Sequence, residues 1–179
     1  MLEKALQYAT KAHEGQYRKT KNVPMISHPI RVAAILKEAG FTDDVVAAGY
    51  LHDTVEDTPV TIQDIKNEFG EEVARIVAGN TEDKSKSWEE RKQHTIDWVK
   101  VAPIEIKALI IADKWDNLQS MVEDYATMGD TLWDSFKRGK EKQQWYFSQV
   151  AENAIAGLKQ EEIPSFFHSY RELVAAFFK

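Results

Sequence analysis

Residues 52–57 read His52-Asp53-Thr54-Val55-Glu56-Asp57, a histidine and three carboxylates in close succession. Glu56 follows His52 by four positions and Asp57 follows Asp53 by four, the spacing that puts side chains on one helix face. The pattern predicts that this hexad closes a helix. Carboxylates there meet the negative end of the helix dipole and repel one another, so a bound cation would relieve them. Two more residues could complete a cation site. His28 opens a helix after a basic loop. Asp113 stands in Leu109-Ile110-Ile111-Ala112-Asp113-Lys114, where an unpaired carboxylate is costly to bury. Each has a plainer reading when taken alone: a solvated helix end for the hexad, an N-cap for His28, an exposed position or a lysine salt bridge for Asp113. Together, His28, His52, Asp53 and Asp113 make a mixed nitrogen and oxygen donor set. Such a set suits Mn²⁺, Fe²⁺ or Zn²⁺ better than Ca²⁺. Cysteine is absent, which excludes thiolate ligation and disulfides. Asn117, four residues after Asp113, shares its face and could bond a substrate hydroxyl or a water, or be a surface polar residue.

The segments that must position these groups have helical apolar spacing nearly everywhere. A first helix runs from Leu2 to about His13, and a polar loop carrying Arg18, Lys19 and Lys21 follows. A helix with Pro29 in its first turn stops at Gly40. Thr42 is the expected N-cap of a helix continuing through Leu51 to Val55. Thr61 to Gly70 and Glu71 to about Ala78 give two short helices. Ser87 with Glu90 matches a capping box. Pro103 begins a strongly apolar helix, a stretch from about Thr131 to Leu158 is helical with a break near Gly139, and Phe166 to Phe177 form a last amphipathic helix. No alternating strand pattern, repeat or linker is present. The expected fold is a single all-α domain over residues 1–179, with eight to ten helices.

At 179 residues the chain is long enough to bury a core. A net charge of −6 argues against a nucleic-acid polymer as partner, because phosphate backbones need a broad basic face. A small anionic substrate needs only a local basic pocket or a metal. No apolar run approaches a membrane span, and no signal segment follows Met1-Leu2-Glu3-Lys4, so a cytoplasmic protein without membrane association is expected. The tryptophans read mainly as core or groove packing, and the Phe166–Phe178 stripe as core or the surface of a homodimer.

The order basic loop, Ser27-His28-Pro29, Leu51-His52-Asp53-Thr54-Val55-Glu56-Asp57, then Ala112-Asp113-Lys114-Trp115-Asp116-Asn117-Leu118 resembles the hydrolase domain of RelA/SpoT-type enzymes of the His-Asp (HD) superfamily, and in particular the small alarmone hydrolases. The resemblance covers about residues 1 to 150. It implies an all-α HD domain that removes the 3′-pyrophosphate of ppGpp or pppGpp, leaving GDP or GTP. It implies that His28, His52, Asp53 and Asp113 ligate one metal, usually Mn²⁺, and that Glu56 and Asp57 orient and deprotonate the attacking water. By the same resemblance Arg18 and Lys19 lie over the nucleotide, Asn117 and Ser120 line the ribose side, and Lys84, Lys142 and Tyr146 face the substrate. The chain departs from the family in having Met25-Ile26 where Tyr often precedes the His-Pro pair, and Gln119 where Arg is frequent. Other phosphohydrolase activities of the superfamily remain as alternatives: nucleotidase, NADPH 2′-phosphatase or (p)ppApp hydrolase. So does a non-catalytic nucleotide sensor, which intact Glu56 and Asp57 argue against.

Overall fold

The computed structural model describes residues 1–179. It contains ten α-helices: α1 (Leu2–Ala12), α2 (Ser27–Glu38), α3 (Asp43–Leu51), α4 (Thr54–Asp57), α5 (Ile62–Phe69), α6 (Glu71–Asn80), α7 (Trp88–Val101), α8 (Ile104–Met128), α9 (Gly139–Ala154) and α10 (Ser165–Phe177). Short 3₁₀ turns occupy Gly129–Ser135 and Gln160–Glu162. There are no strands, only an isolated bridge between Tyr17 and Pro24 that pinches the basic loop. One apolar cluster runs from Ala5 to Phe178 and joins both ends of the chain.

Helix α8 is the axis of the molecule. It packs against α2, α3, α6, α7, α9 and α10. Every residue from Ile106 to Asp113 is buried, as expected of a helix covered around its circumference. That burial carries Lys107 and Asp113 into the interior along with the isoleucines. Lys107 is satisfied there by three carbonyl oxygens, Lys100 O at 3.0 Å and Ala154 O and Ala156 O at 3.2 Å. One ammonium thus caps the ends of α7 and α9.

Helices α2 and α3 approach closely because Gly49 faces α2. A β-carbon at Gly49 would stand 3.0 Å from both Ala33 Cα and Leu36 Cδ1. This contact brings the start of α2, with His28, near the end of α3, with His52.

The expected continuous helix through the hexad is broken. Helix α3 ends at Leu51, and Thr54–Asp57 form a separate turn of helix after Asp53. Side chains compete for the carbonyls at the break: His52 Nδ1 donates to Gly49 O at 2.7 Å, and Thr54 Oγ1 donates to Leu51 O at 2.7 Å. The carboxylates therefore do not sit at the negative end of a long helix, contrary to the expectation from the sequence. Their crowding survives. Thr42 does precede α3, although its side chain caps no backbone group. Thr61 forms a complete capping box with Asp64, and Ser87 caps α7 by accepting from Glu90 N. No helix is long and apolar enough to cross a membrane.

Candidate active site

His28 from α2, His52 and Asp53 from the turn between α3 and α4, and Asp113 from the middle of α8 converge. His28 Nε2 lies 2.9 Å from Asp113 Oδ1 and 3.2 Å from His52 Nε2. His52 Nε2 is 3.4 Å from Asp113 Oδ1 and 3.2 Å from Asp53 Oδ2, which is also 3.6 Å from His28 Nε2. His28, His52 and Asp113 each offer a donor atom within 4.8 Å of the others, and Asp53 adds a fourth beside the two imidazoles.

The outer nitrogens fix how these rings present themselves. His52 Nδ1 donates to the Gly49 carbonyl, and His28 Nδ1 donates to Asp116 Oδ2 at 2.6 Å. In the neutral rings both Nε2 atoms then carry lone pairs, and these face each other and two carboxylate oxygens. Only a cation, or shared protons, holds four such atoms together in a buried place. Two imidazole nitrogens and two carboxylate oxygens fit a divalent transition ion. The pKa values follow from the crowding. Burial disfavours the His52 imidazolium, yet Asp53 and Asp113 outweigh it and raise its pKa well above the usual value. Burial likewise opposes ionisation of Asp53, but the two histidines pull it down to about 2. Asp113 is held well below the carboxylate range by Lys114 and His52 despite its burial.

Asp116 is buried and receives more than the histidine. Arg31 donates from Nε to Oδ1 at 2.7 Å and from Nη2 to Oδ2 at 3.1 Å. Lys114 Nζ donates to Asp113 Oδ2 at 2.9 Å, and Asn117 Nδ2 donates to Asp113 Oδ1 at 3.2 Å.

The two carboxylates of α4 part company. Glu56 turns inward, where the Glu82 backbone N–H donates to its Oε1 at 2.5 Å. It has no salt bridge, and burial pushes its pKa up to about 7. Asp57 faces outward and pairs with Lys84 Nζ at 2.9 Å. Glu82 binds Arg91 at 2.9 Å and Lys92 at 2.7 Å, so residue 82 serves Glu56 through its backbone and a basic pair through its side chain.

These groups wall two cavities of ligand size. The first, of about 760 Å³, is lined by His28, Asp53, Glu56 and Asp113; the second, of about 970 Å³, by Lys19, Ser120, Phe136 and Tyr146. Arg18, Asp57, Lys84, Lys92, Lys114 and Asn117 line both. Arg18 Nη2 donates to Asn117 Oδ1 at 3.1 Å, and Lys19 Nζ lies 4.5 Å from the Phe136 ring centroid. The Tyr146 hydroxyl is buried without a hydrogen-bond partner, and burial raises its pKa to about 12. Lys142 is exposed on α9, 5.6 Å from the Trp145 ring centroid, and lines neither cavity.

The sequence reading did not single out Arg31, Glu82, Arg91 or Lys92, and it saw Asp116 without its partner. Two signals were available. Lys92 lies on the same face of its helix as the tryptophan four positions before it, and Arg31 stands three residues after His28 on the same helix face.

A buried His-Asp pair joined by a distant His and Asp on an all-helical scaffold is the arrangement of an HD domain. The family model described as HD domain matches residues 5–139, and the chain belongs to that family. Among curated relatives, the guanosine-3′,5′-bis(diphosphate) 3′-pyrophosphohydrolase MESH1 of Danio rerio is 39% identical over 124 residues, covering 68% of this chain and 69% of the relative. Among solved structures, lmo0812 from Listeria monocytogenes EGD-e shares 50% identity and a TM-score of 0.82, over 84% of this chain and 98% of that one. A metazoan ortholog of SpoT, described as hydrolysing ppGpp and acting in starvation responses, superposes with a TM-score of 0.81 at 27% identity over 98% of this chain and 94% of its own.

Proposed function

We propose that this protein is a metal-dependent hydrolase that removes the 3′-pyrophosphate of ppGpp or pppGpp, yielding GDP or GTP and pyrophosphate. The observation that carries the reading is the convergence of two imidazole nitrogens and two carboxylate oxygens beside Glu56, a half-buried carboxylate without a salt bridge, on the wall of a basic two-chambered cleft. It agrees with the activity for which the MESH1 relative is named.

His28, His52, Asp53 and Asp113 would hold one divalent ion, for which we propose Mn²⁺. When bound, such an ion supplies positive charge for phosphoryl oxygens and makes water more acidic. The chain's own groups do the rest. Glu56, whose pKa of about 7 suits proton transfer near neutrality, accepts the proton of the attacking water. The water oxygen forms a bond to the phosphorus attached to O3′, the P–O3′ bond breaks, and O3′ takes up a proton from solvent to become the free hydroxyl while Glu56 releases its own to solvent. Asp57 holds Lys84 at the junction of the two cavities. Lys84, Lys92 and Lys114 neutralise the phosphates. Arg18, Lys19 and Phe136 form the nucleoside side, with Asn117 and Ser120 near the ribose and Tyr146 beneath.

The test is product analysis of the purified protein with ppGpp, with and without Mn²⁺, beside a panel of NADPH, pppApp and nucleoside monophosphates. GDP and pyrophosphate released only with the ion support the proposal. Turnover of a different panel member in preference to ppGpp would move the assignment to that substrate.

A further inference from the structure

Asp113 and Asp116 lie one helical turn apart on α8, both buried, and both touch the same imidazole from opposite sides. Asp113 Oδ1 faces His28 Nε2 at 2.9 Å, and Asp116 Oδ2 faces His28 Nδ1 at 2.6 Å. The two aspartates therefore have different work to do. Asp116 makes no contact with His52 or Asp53, and its remaining hydrogen bonds go to Arg31. An ionised carboxylate can only accept, and Arg31 holds Asp116 ionised by donating to both of its oxygens, so the short contact requires a hydrogen on His28 Nδ1. That leaves Nε2 free to present its lone pair towards His52 and Asp113.

The two histidines of the cluster are served unequally. His52 Nδ1 bonds a neutral backbone carbonyl, Gly49 O, while His28 Nδ1 bonds an ionised side chain. Hydrogen bonds to a charged acceptor are stronger than those to a neutral one, and they make the far nitrogen a better electron donor. Asp116 would be costly to bury alone. Arg31 grips it by two parallel bonds from α2, with the arginine side chain 46% exposed. Helix α2 thus contributes both His28 and the cation that sustains the carboxylate behind it.

We infer that Asp116, clamped by Arg31, is a positioning residue that locks the tautomer and ring plane of His28 and so sets the divalent-metal affinity of the centre. The inference rests on the metal-centre reading above. It concerns no contact of Asp116 with metal or substrate.

The test uses the full chain stripped of metal, with Asp116→Asn and Arg31→Met. Mn²⁺ binding is measured by titration calorimetry, and the ring-nitrogen resonances of His28 and His52 by NMR of the metal-free protein. Asparagine keeps the size of the side chain but can donate its amide to Nδ1, which would place the ring hydrogen on Nε2. Asp116→Asn is expected to weaken Mn²⁺ binding by about 10- to 100-fold, the usual effect of losing such a partner, and to change the tautomer signature of His28 but not of His52. Arg31→Met, at a half-exposed position, is expected to weaken binding in the same direction by less. If both variants bind Mn²⁺ as tightly as the parent with an unchanged His28 signature, the inference is overturned while the metal centre stands. If the parent itself binds no divalent ion, both readings fall. Should Asp116→Asn not fold, Arg31→Met alone decides the matter through the same two measurements.

Discussion

At the scale of single residues the site divides its acidic groups by environment. Asp53 and Asp113 are ionised by the cations around them, while Glu56 lacks such a partner and keeps a pKa of about 7. Glu56→Gln should retain bound Mn²⁺ and lose about 10²- to 10⁴-fold in kcat, the range expected for a general base; metal content and ppGpp turnover on the same sample check this. The pH dependence follows from the same group. A base must be unprotonated to act, so kcat/KM should rise with pH along a limb centred near or below pH 7, since a neighbouring cation can only lower the value. An ascending limb centred well above neutrality would count against Glu56. Stability moves the other way. With its pKa raised from 4.5 to about 7, Glu56 favours the folded state fully below about pH 4.5 and loses that contribution as the pH climbs through 7. In metal-free protein, Glu56→Gln should therefore gain in melting temperature relative to the parent over that interval.

At the scale of elements the helices were legible and the joints less so. Apolar spacing located α1, α2 and α8 because a buried helix face needs its repeat wherever it packs. The break at His52-Asp53 was not legible. It depends on the His52 ring and the Thr54 hydroxyl taking carbonyls that a continuing helix would use, and propensity does not report such competition. The four residues proposed as ligands were nominated from residue type and company, and they stand together in the fold. Asp116's partner was not, because Arg31 is 85 positions away in sequence and meets it only once α2 lies against α8. Gly49 carries the element-scale prediction. Gly49→Ala forces a methyl to within 3.0 Å of the Ala33 backbone, so α2 and α3 must separate by a few tenths of an ångström. Overpacking of this kind costs about 1–3 kcal/mol, read as a lower melting temperature. It should also weaken Mn²⁺ binding, because His28 and His52 ride on the separated helices.

At the scale of the molecule, the residues proposed to hold one ion come from α2, the α3–α4 turn and α8, with His28 and Asp113 separated by 85 positions of sequence. An ion that binds them in the native arrangement alone ties the fold together. At a free concentration 100 times its Kd it adds about 2.7 kcal/mol, or about 5–11 °C in melting temperature for a chain of this size. Chelator should remove that increment, and His52→Ala should abolish the difference between metal-loaded and stripped samples. The molecule also shows how far sequence likeness and shape diverge. The MESH1 match spans 68% of the chain, whereas the metazoan SpoT ortholog superposes over 98% at 27% identity. The later helices keep their places through packing such as the Tyr170 hydroxyl bonded to Phe147 O at 2.8 Å. Such packing constrains shape more than letters.

The glycine at the α2–α3 crossing has one more consequence. With no side chain on Gly49 at that crossing, the two backbones that carry the imidazoles lie as close as Ala33 and Leu36 allow, and no rotamer change can move those backbones apart. Exchanging a histidine for a carboxylate would alter which ions the donors prefer and how far each donor reaches, but not the spacing of the helices behind them. Redesigning this centre for a larger ion such as Ca²⁺, which takes more oxygen ligands, would therefore have to address the spacing of two helices as well as the residues that grip the ion.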